Sequence, residues 1–205
     1  MQSSSSITII GRSSSHFTRV TRIVAFELGV PYTLQVVRDL TSLDVADYGG
    51  NPALRMPTLR TSQGVWFGAL GICRELERLS KRARRVLWPE DLPGALHGSA
   101  QELVTQAMST EVALVMARAA GDHGQLKPEK SLLNMLAWLD DHAPDAVSSL
   151  PERDLSFLEV TLFCLVTHLE FRDVVSVAPY PALAELCRVF GQRKSAQQTE
   201  FHFDP

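Results

Sequence analysis

Hydrophobic and polar positions fall into two rhythms along this chain: short apolar runs broken by turn residues first, then longer stretches with helical period. Ile7–Ile10 is a short apolar run that ends at Gly11, the pattern of a buried strand. Arg12-Ser13-Ser14-Ser15-His16 is a polar loop. Phe17, Val20, Ile23, Val24 and Leu28 then recur at helical spacing, with Gly29 placed as the residue that closes the helix. After Pro31, Tyr32–Val37 reads as a second strand. Strand, helix and strand in so short a span form a βαβ unit, whose two strands run parallel.

Asp39–Gly50 is polar and predicts a short irregular helix. Asn51–Leu76 then reads as turn, strand, turn, strand, turn and helix. Pro57 belongs at a strand's start, because proline cannot donate to a ladder. Thr58-Leu59-Arg60 can pair with Val65-Trp66-Phe67 across a Gly-containing loop, and Gly68 ends the second strand. From Leu70, the apolar residues Ile72, Cys73, Leu76 and Leu79 fall at helical spacing. Trp88-Pro89-Glu90-Asp91-Leu92-Pro93 follows a charged helix end and marks a boundary.

Beyond it the period is helical throughout. One helix is expected over Leu96 to about Ala120, ending at Gly121, and a second over Pro128–His142, ending near Pro144. A third, over Ser156–Phe171, is apolar almost all round and is therefore buried. It opens on Ser156 and Glu159 in capping-box spacing. A last helix begins near Pro181, and the tail from Gln192 to Pro205 is mostly polar.

Composition narrows the class. The chain has 205 residues, 45% of them hydrophobic, and a formal net charge of −3, which suits a soluble protein with a sizeable core. Near-neutral charge argues against a dedicated nucleic-acid binder, and no apolar run is long enough to span a bilayer. Lys81-Arg82-Ala83-Arg84-Arg85 reads as a helix end and solvated linker. MQSSSSITII lacks the basic and apolar regions of a secretory signal, and its serine run reads as a frayed leader. Cys73, Cys164 and Cys187 are odd in number, have no metal spacing and sit in apolar helical patterns, which points to small core residues and a cytoplasmic location.

The order of these pieces, from about Ile7 to about Gln192, resembles the cytosolic glutathione transferases. Asn51, Pro52, Arg55, Met56 and Pro57 match the family's Asn-Pro, basic, apolar and cis-proline pattern, and Ile72 and Cys73 match the helix that follows. Gly68 and Ala69 depart from it, because the family has an acid and a serine there. The resemblance implies an α/β thioredoxin-like N-terminal domain (βαβ-ββα) over residues 1–80, a linker over 81–93 and an all-helical C-terminal domain over 94–205. It implies glutathione as co-substrate, a small hydrophobic electrophile as partner, and a homodimer.

It also implies site residues. Ser14 and Ser15 stand where the family donates a hydrogen bond to the glutathione sulfur, with Ser13 behind them. Serines before a helix also serve as caps, so one serine could fill each role. Met56 would pair its backbone with the cysteinyl part of glutathione beside Pro57, as an added strand does. Arg55, at the family's basic position, is a further glutathione-binding candidate. Ala69 keeps an amide at a helix N-terminus for the γ-glutamyl carboxylate, while Gly68 supplies no acid. Met108, Val112, Val115 and Met116 are candidates for an electrophile pocket, although core packing accounts for most such stripes. His16 and Arg12 read as polar loop residues. Three functions remain in play: a conjugating enzyme, a non-catalytic transferase-like scaffold, and a binding protein for another small acid or peptide.

Overall fold

A computed structural model of the chain describes residues 7–122 and 124–205. The serine run read as a leader lies outside them. The described chain divides into two compact units, one reaching Ala83 and including Lys194–Pro205, the other Arg84–Arg193.

The first unit is built on β1 (Thr8–Gly11), α1 (His16–Leu28), β2 (Thr33–Val36), β3 (Thr58–Thr61), β4 (Gly64–Phe67) and α2 (Ala69–Leu79). The sheet order is β2-β1-β3-β4. β1 and β2 are parallel, as a βαβ unit requires, and β3 and β4 run antiparallel to their neighbours. The polar segment before β3 forms one 3₁₀ turn, Val45–Tyr48, capped by Asp44. Gly29 ends α1 at φ 65°, a left-handed conformation that favours glycine.

Ile9, Ile10 and Leu59 of the sheet, Val20, Ile23, Val24 and Leu28 of α1, and Ile72, Cys73 and Leu76 of α2 are all buried. Each large aliphatic side chain among them contributes about 1.5–3 kcal/mol relative to exposure. β1 passes close to α1 at Gly11, where a side-chain Cβ would fall 2.4 Å from the Thr18 hydroxyl oxygen. Any larger residue there would push the strand end away from the helix start.

The second unit holds α3 (Ala95–Ala119), α4 (Leu126–Ser148), α5 (Phe157–Phe171) and α6 (Pro181–Phe190). A two-residue parallel pair, β5 (Val86–Leu87) with β6 (Leu155–Ser156), ties its entry to the start of α5. Eleven of the fifteen residues of α5 are buried, as its all-round apolar sequence predicts. Ser156 caps it, accepting the Glu159 amide at 3.1 Å. The Glu159 carboxylate takes a hydrogen bond from the Ser156 hydroxyl at 2.7 Å and from Arg153 Nε at 2.8 Å. Glu111 of α3 and His168 of α5, both buried, meet at 2.7 Å.

The helix expected to stop near Pro144 runs on to Ser148. Leu136, Leu139, Ala143 and Ala146 are all fully buried on it, and that face continues through the proline. Burial there outweighs the roughly 3 kcal/mol that an interior proline costs. Lys194–Gln197 forms a last short turn of helix, α7, inside the stretch expected to be a polar tail.

Candidate functional site

Strand register brings the sequence-nominated residues to one end of the sheet. Ile10 lies opposite Thr58, so the loop after β1 sits beside the residues that precede β3. Thr58 lies opposite Phe67, so the start of α2 sits beside them too. Val36 lies opposite Gly11, and the Val37 amide bonds the Gly11 carbonyl at 3.0 Å, so the end of β2 arrives at the same place. Neighbouring strands are about 4.8 Å apart, and four segments therefore share one rim.

The three serines of the first segment differ in their surroundings. Ser15 is the N-cap of α1, its hydroxyl oxygen accepting the Thr18 amide at 3.3 Å. A hydroxyl that accepts one bond keeps a hydrogen to donate, and among the described residues that of Ser15 has no acceptor. Ser14 is half-buried. Ser13 is buried, and its amide donates to the Asp204 carboxylate at 2.8 Å. Arg12 ties the loop to the end of β2, donating from Nη2 to the Arg38 carbonyl at 2.9 Å. His16 is buried and meets the Phe17 ring edge-on at 4.5 Å, so it is no exposed loop residue.

The second segment is the turn into β3. Buried Asn51 organises it, accepting the Ala53 amide at 3.0 Å and donating to the Arg55 carbonyl at 2.7 Å. The Met56–Pro57 bond is cis. The Met56 side chain packs against Ile10, Val37 and Tyr48. Its backbone N–H and C=O have no hydrogen-bond partner among the described residues. Arg55 is exposed and adds a cation beside this open backbone pair.

Gly68 and Ala69 form the third segment. Gly68 is the N-cap of α2 at φ 78°, with no side chain to cap the helix. The first-turn amides of α2, starting at Ala69, have no carbonyl within the helix to bond. They carry the positive end of the helix dipole and suit an anion.

Electrostatics at this rim are mixed. The Thr41 hydroxyl and amide hold the Asp39 carboxyl below its usual range, with the Arg12 guanidinium adding to the effect. Burial pushes the Tyr48 phenol up, helped by the negative charges of Asp39 and Asp47.

Ser14, Ser15, Arg55, Met56, Pro57, Gly68 and Ala69 thus lie at one end of one sheet. Sequence reasoning missed Asp204 and Arg38, which share that end. Asp204 sits in a polar stretch with no periodic signal. Arg38 follows a strand like many solvated arginines. In the second unit, Met108 is buried, while Val112 and Met116 are about 40% exposed. Cys73 and Cys164 are buried and Cys187 half-buried, and among the described residues none forms a disulfide.

Residues 14–79 match the family model for the glutathione S-transferase N-terminal domain. By structure, the chain is similar to a glutathione transferase family member from Pseudomonas fluorescens, solved with bound glutathione. Identity is 20%, the TM-score is 0.79, and 96% of this chain and 100% of that one are covered. A glutathione S-transferase from Methylobacillus flagellatus, also with glutathione bound, aligns at 20% identity and TM-score 0.76 with the same coverage. The Tau class enzyme of mango, Mangifera indica, aligns at 15% identity and TM-score 0.71, covering 96% of this chain and 93% of that one. No curated protein matches the chain. Among the described residues, no helix is long and apolar enough to cross a membrane.

Proposed function

We propose, for a chain whose residues 14–79 match the glutathione S-transferase N-terminal domain family and which has the glutathione transferase fold over 96% of its length, that the sheet end described above binds glutathione as its thiolate and presents it to a small hydrophobic electrophile. The observation that carries this reading is the convergence, by strand register, of a capped helix start, an unpaired backbone at Met56 and the open N-terminus of α2.

Each part has a task. The Met56 N–H and C=O pair with the cysteinyl residue as a short added strand. That contact directs the thiol toward the loop before α1. Ser15 donates its unused hydroxyl hydrogen to the sulfur while its lone pair continues to hold the Thr18 amide. The positive end of α1 and that hydrogen bond both favour the anion, lowering a thiol pKa from about 8.5. The Ala69 amide takes the γ-glutamyl carboxylate. Attack by the thiolate forms a carbon–sulfur bond and expels the electrophile's leaving group, or adds across its activated double bond.

Calorimetric titration with glutathione tests the reading. Saturable heat in the millimolar range or tighter is expected. No heat at millimolar glutathione would remove it. A second reading, a transferase-like scaffold without turnover, draws support from Gly68-Ala69, where no side chain reinforces the carboxylate contact. Binding without conjugation of a panel of electrophiles would favour it. Self-association as a homodimer fits the exposed apolar edge strand, with Val65 and Phe67 each 42% accessible. Light scattering on the purified chain decides that point. A cytoplasmic location accords with three cysteines outside any disulfide among the described residues.

A further inference from the structure

The segment Lys194–Pro205 runs back along α1, from its C-terminal end to the loop that precedes it. Ser195 donates to the Glu27 carboxylate at 2.6 Å, near the end of the helix. Eight residues earlier on α1, buried Arg19 donates from Nη2 to the Ala196 carbonyl at 3.0 Å and reaches the Thr199 hydroxyl at 3.5 Å. The same guanidinium lies over the Phe201 ring, 4.3 Å from its centre. The path ends at the rim of the proposed site. There Asp204 accepts the Ser13 amide at 2.8 Å, and Arg38 donates to the Pro205 carbonyl at 3.2 Å. The Asp204 side chain is only 6% exposed, although its neighbour Phe203 is 67% exposed.

We propose that this segment is a built-in strap whose Asp204 carboxylate competes with the glutathione thiolate for the loop before α1. The inference rests on the glutathione reading and names a control on that same site. A carboxylate on the Ser13 amide sits in the same loop and draws on the same positive helix end that the thiolate needs. Held two residues from Ser15, it also repels a second anion there and disfavours ionisation of the thiol. Strap and thiolate therefore bind antagonistically. Linkage makes the antagonism reciprocal: whatever the strap costs the ligand, the ligand costs the strap. The anchors differ along its length. Arg19 holds the middle from a buried position. At the tip, Asp204 is held by the Ser13 amide and by exposed His202, 3.7 Å away on the strap itself, and Pro205 by exposed Arg38. The tip is thus built to lift while the root stays in place.

The test compares the full chain with Asp204→Asn, using two probes in calorimetry. Glutathione sulfonate carries a permanent anion at sulfur, and S-methylglutathione carries none. Asp204→Asn is expected to bind the sulfonate about tenfold more tightly and S-methylglutathione within about twofold of the parent. Hydrogen exchange on the unmodified protein gives a second measurement that needs no variant: saturating sulfonate should accelerate exchange across residues 202–204 and leave the stretch held by Arg19 unchanged. If both probes bind and neither affinity nor exchange changes, the strap is overturned and the glutathione site stands. Weaker sulfonate binding by Asp204→Asn would also overturn it, making the aspartate a support for the loop. If neither probe binds either protein, the glutathione reading fails and the strap falls with it.

Discussion

Ser15 and Ser156 open α1 and α5 in the same way, each accepting an amide three residues on, at 3.3 and 3.1 Å. Their surroundings set them apart. Ser156 is fully buried, and its hydroxyl hydrogen goes to Glu159, which Arg153 also holds. The one hydrogen of that hydroxyl is spent inside the fold. Ser15 is partly exposed, has Thr18 rather than an acid at the third helical position, and keeps its hydrogen available. Two caps with one local chemistry thus separate into a closed structural joint and an open donor. The distinction lies in what the neighbours leave unsatisfied, not in the serine.

Removing the hydroxyls one at a time is the most direct way to break the comparison. Ser15→Ala should lower conjugation by about a hundredfold in kcat, in the range for losing one donor to a developing anion. It should also lower stability by about 1 kcal/mol through the lost cap. Ser156→Ala should leave glutathione binding unchanged and cost about 2 kcal/mol in urea unfolding, because Glu159 loses a partner as well as the helix its cap. Equal effects of both variants on activity would erase the distinction drawn above.

Smaller changes sharpen it. Ala69→Ser gives α2 the hydroxyl that its N-terminus lacks and should tighten glutathione about tenfold in calorimetry. Ser14→Ala should change turnover by no more than about threefold. A loss as large as that of Ser15→Ala would move the donor role one residue back. The smallest effect is expected at Asp154, two residues before the α5 cap. It accepts the Arg85 amide at 2.9 Å and meets Arg84 at 3.2 Å, and its carboxyl is held below the usual range chiefly by that amide. A depressed carboxyl stabilises the fold above its unfolded value, near 3.9, and loses that contribution as pH falls through its folded value. Asp154→Asn should therefore narrow the fall in Tm between pH 5 and pH 3 slightly, as read by thermal unfolding across that range.

Much of the first unit was legible because its decisive signals are local. Gly29 needs a left-handed conformation, Pro57 must start a strand, and the run from Thr58 to Phe67 pairs across a tight turn. These choices act over a few residues, and they placed both helices and all four strands. The site residues came from a resemblance, and register then brought them to a common rim. What escaped was long-range or short in extent. The pair of β5 and β6 is two residues on each side, below any periodic signal. The α4 helix passes Pro144 because distant packing on Ala143 and Ala146 overrides a local break. The docking of residues 194–205 depends on one buried arginine and a handful of polar contacts across the whole length of the chain, which no window of sequence contains. Asp204 was invisible for that reason.

That docking has a consequence for biosynthesis. The first compact unit takes its final twelve residues from the far end of the chain, after the 110 residues of the second unit. At a translation rate of about 5–20 residues per second, the ribosome makes α1 roughly 9–35 seconds before its last partner is synthesised. During that interval the Arg19 guanidinium, buried in the finished molecule, must stay hydrated or be shielded by a chaperone. Maturation of the amino-terminal unit is therefore timed by the synthesis of residues 194–205, not by the emergence of its own sheet.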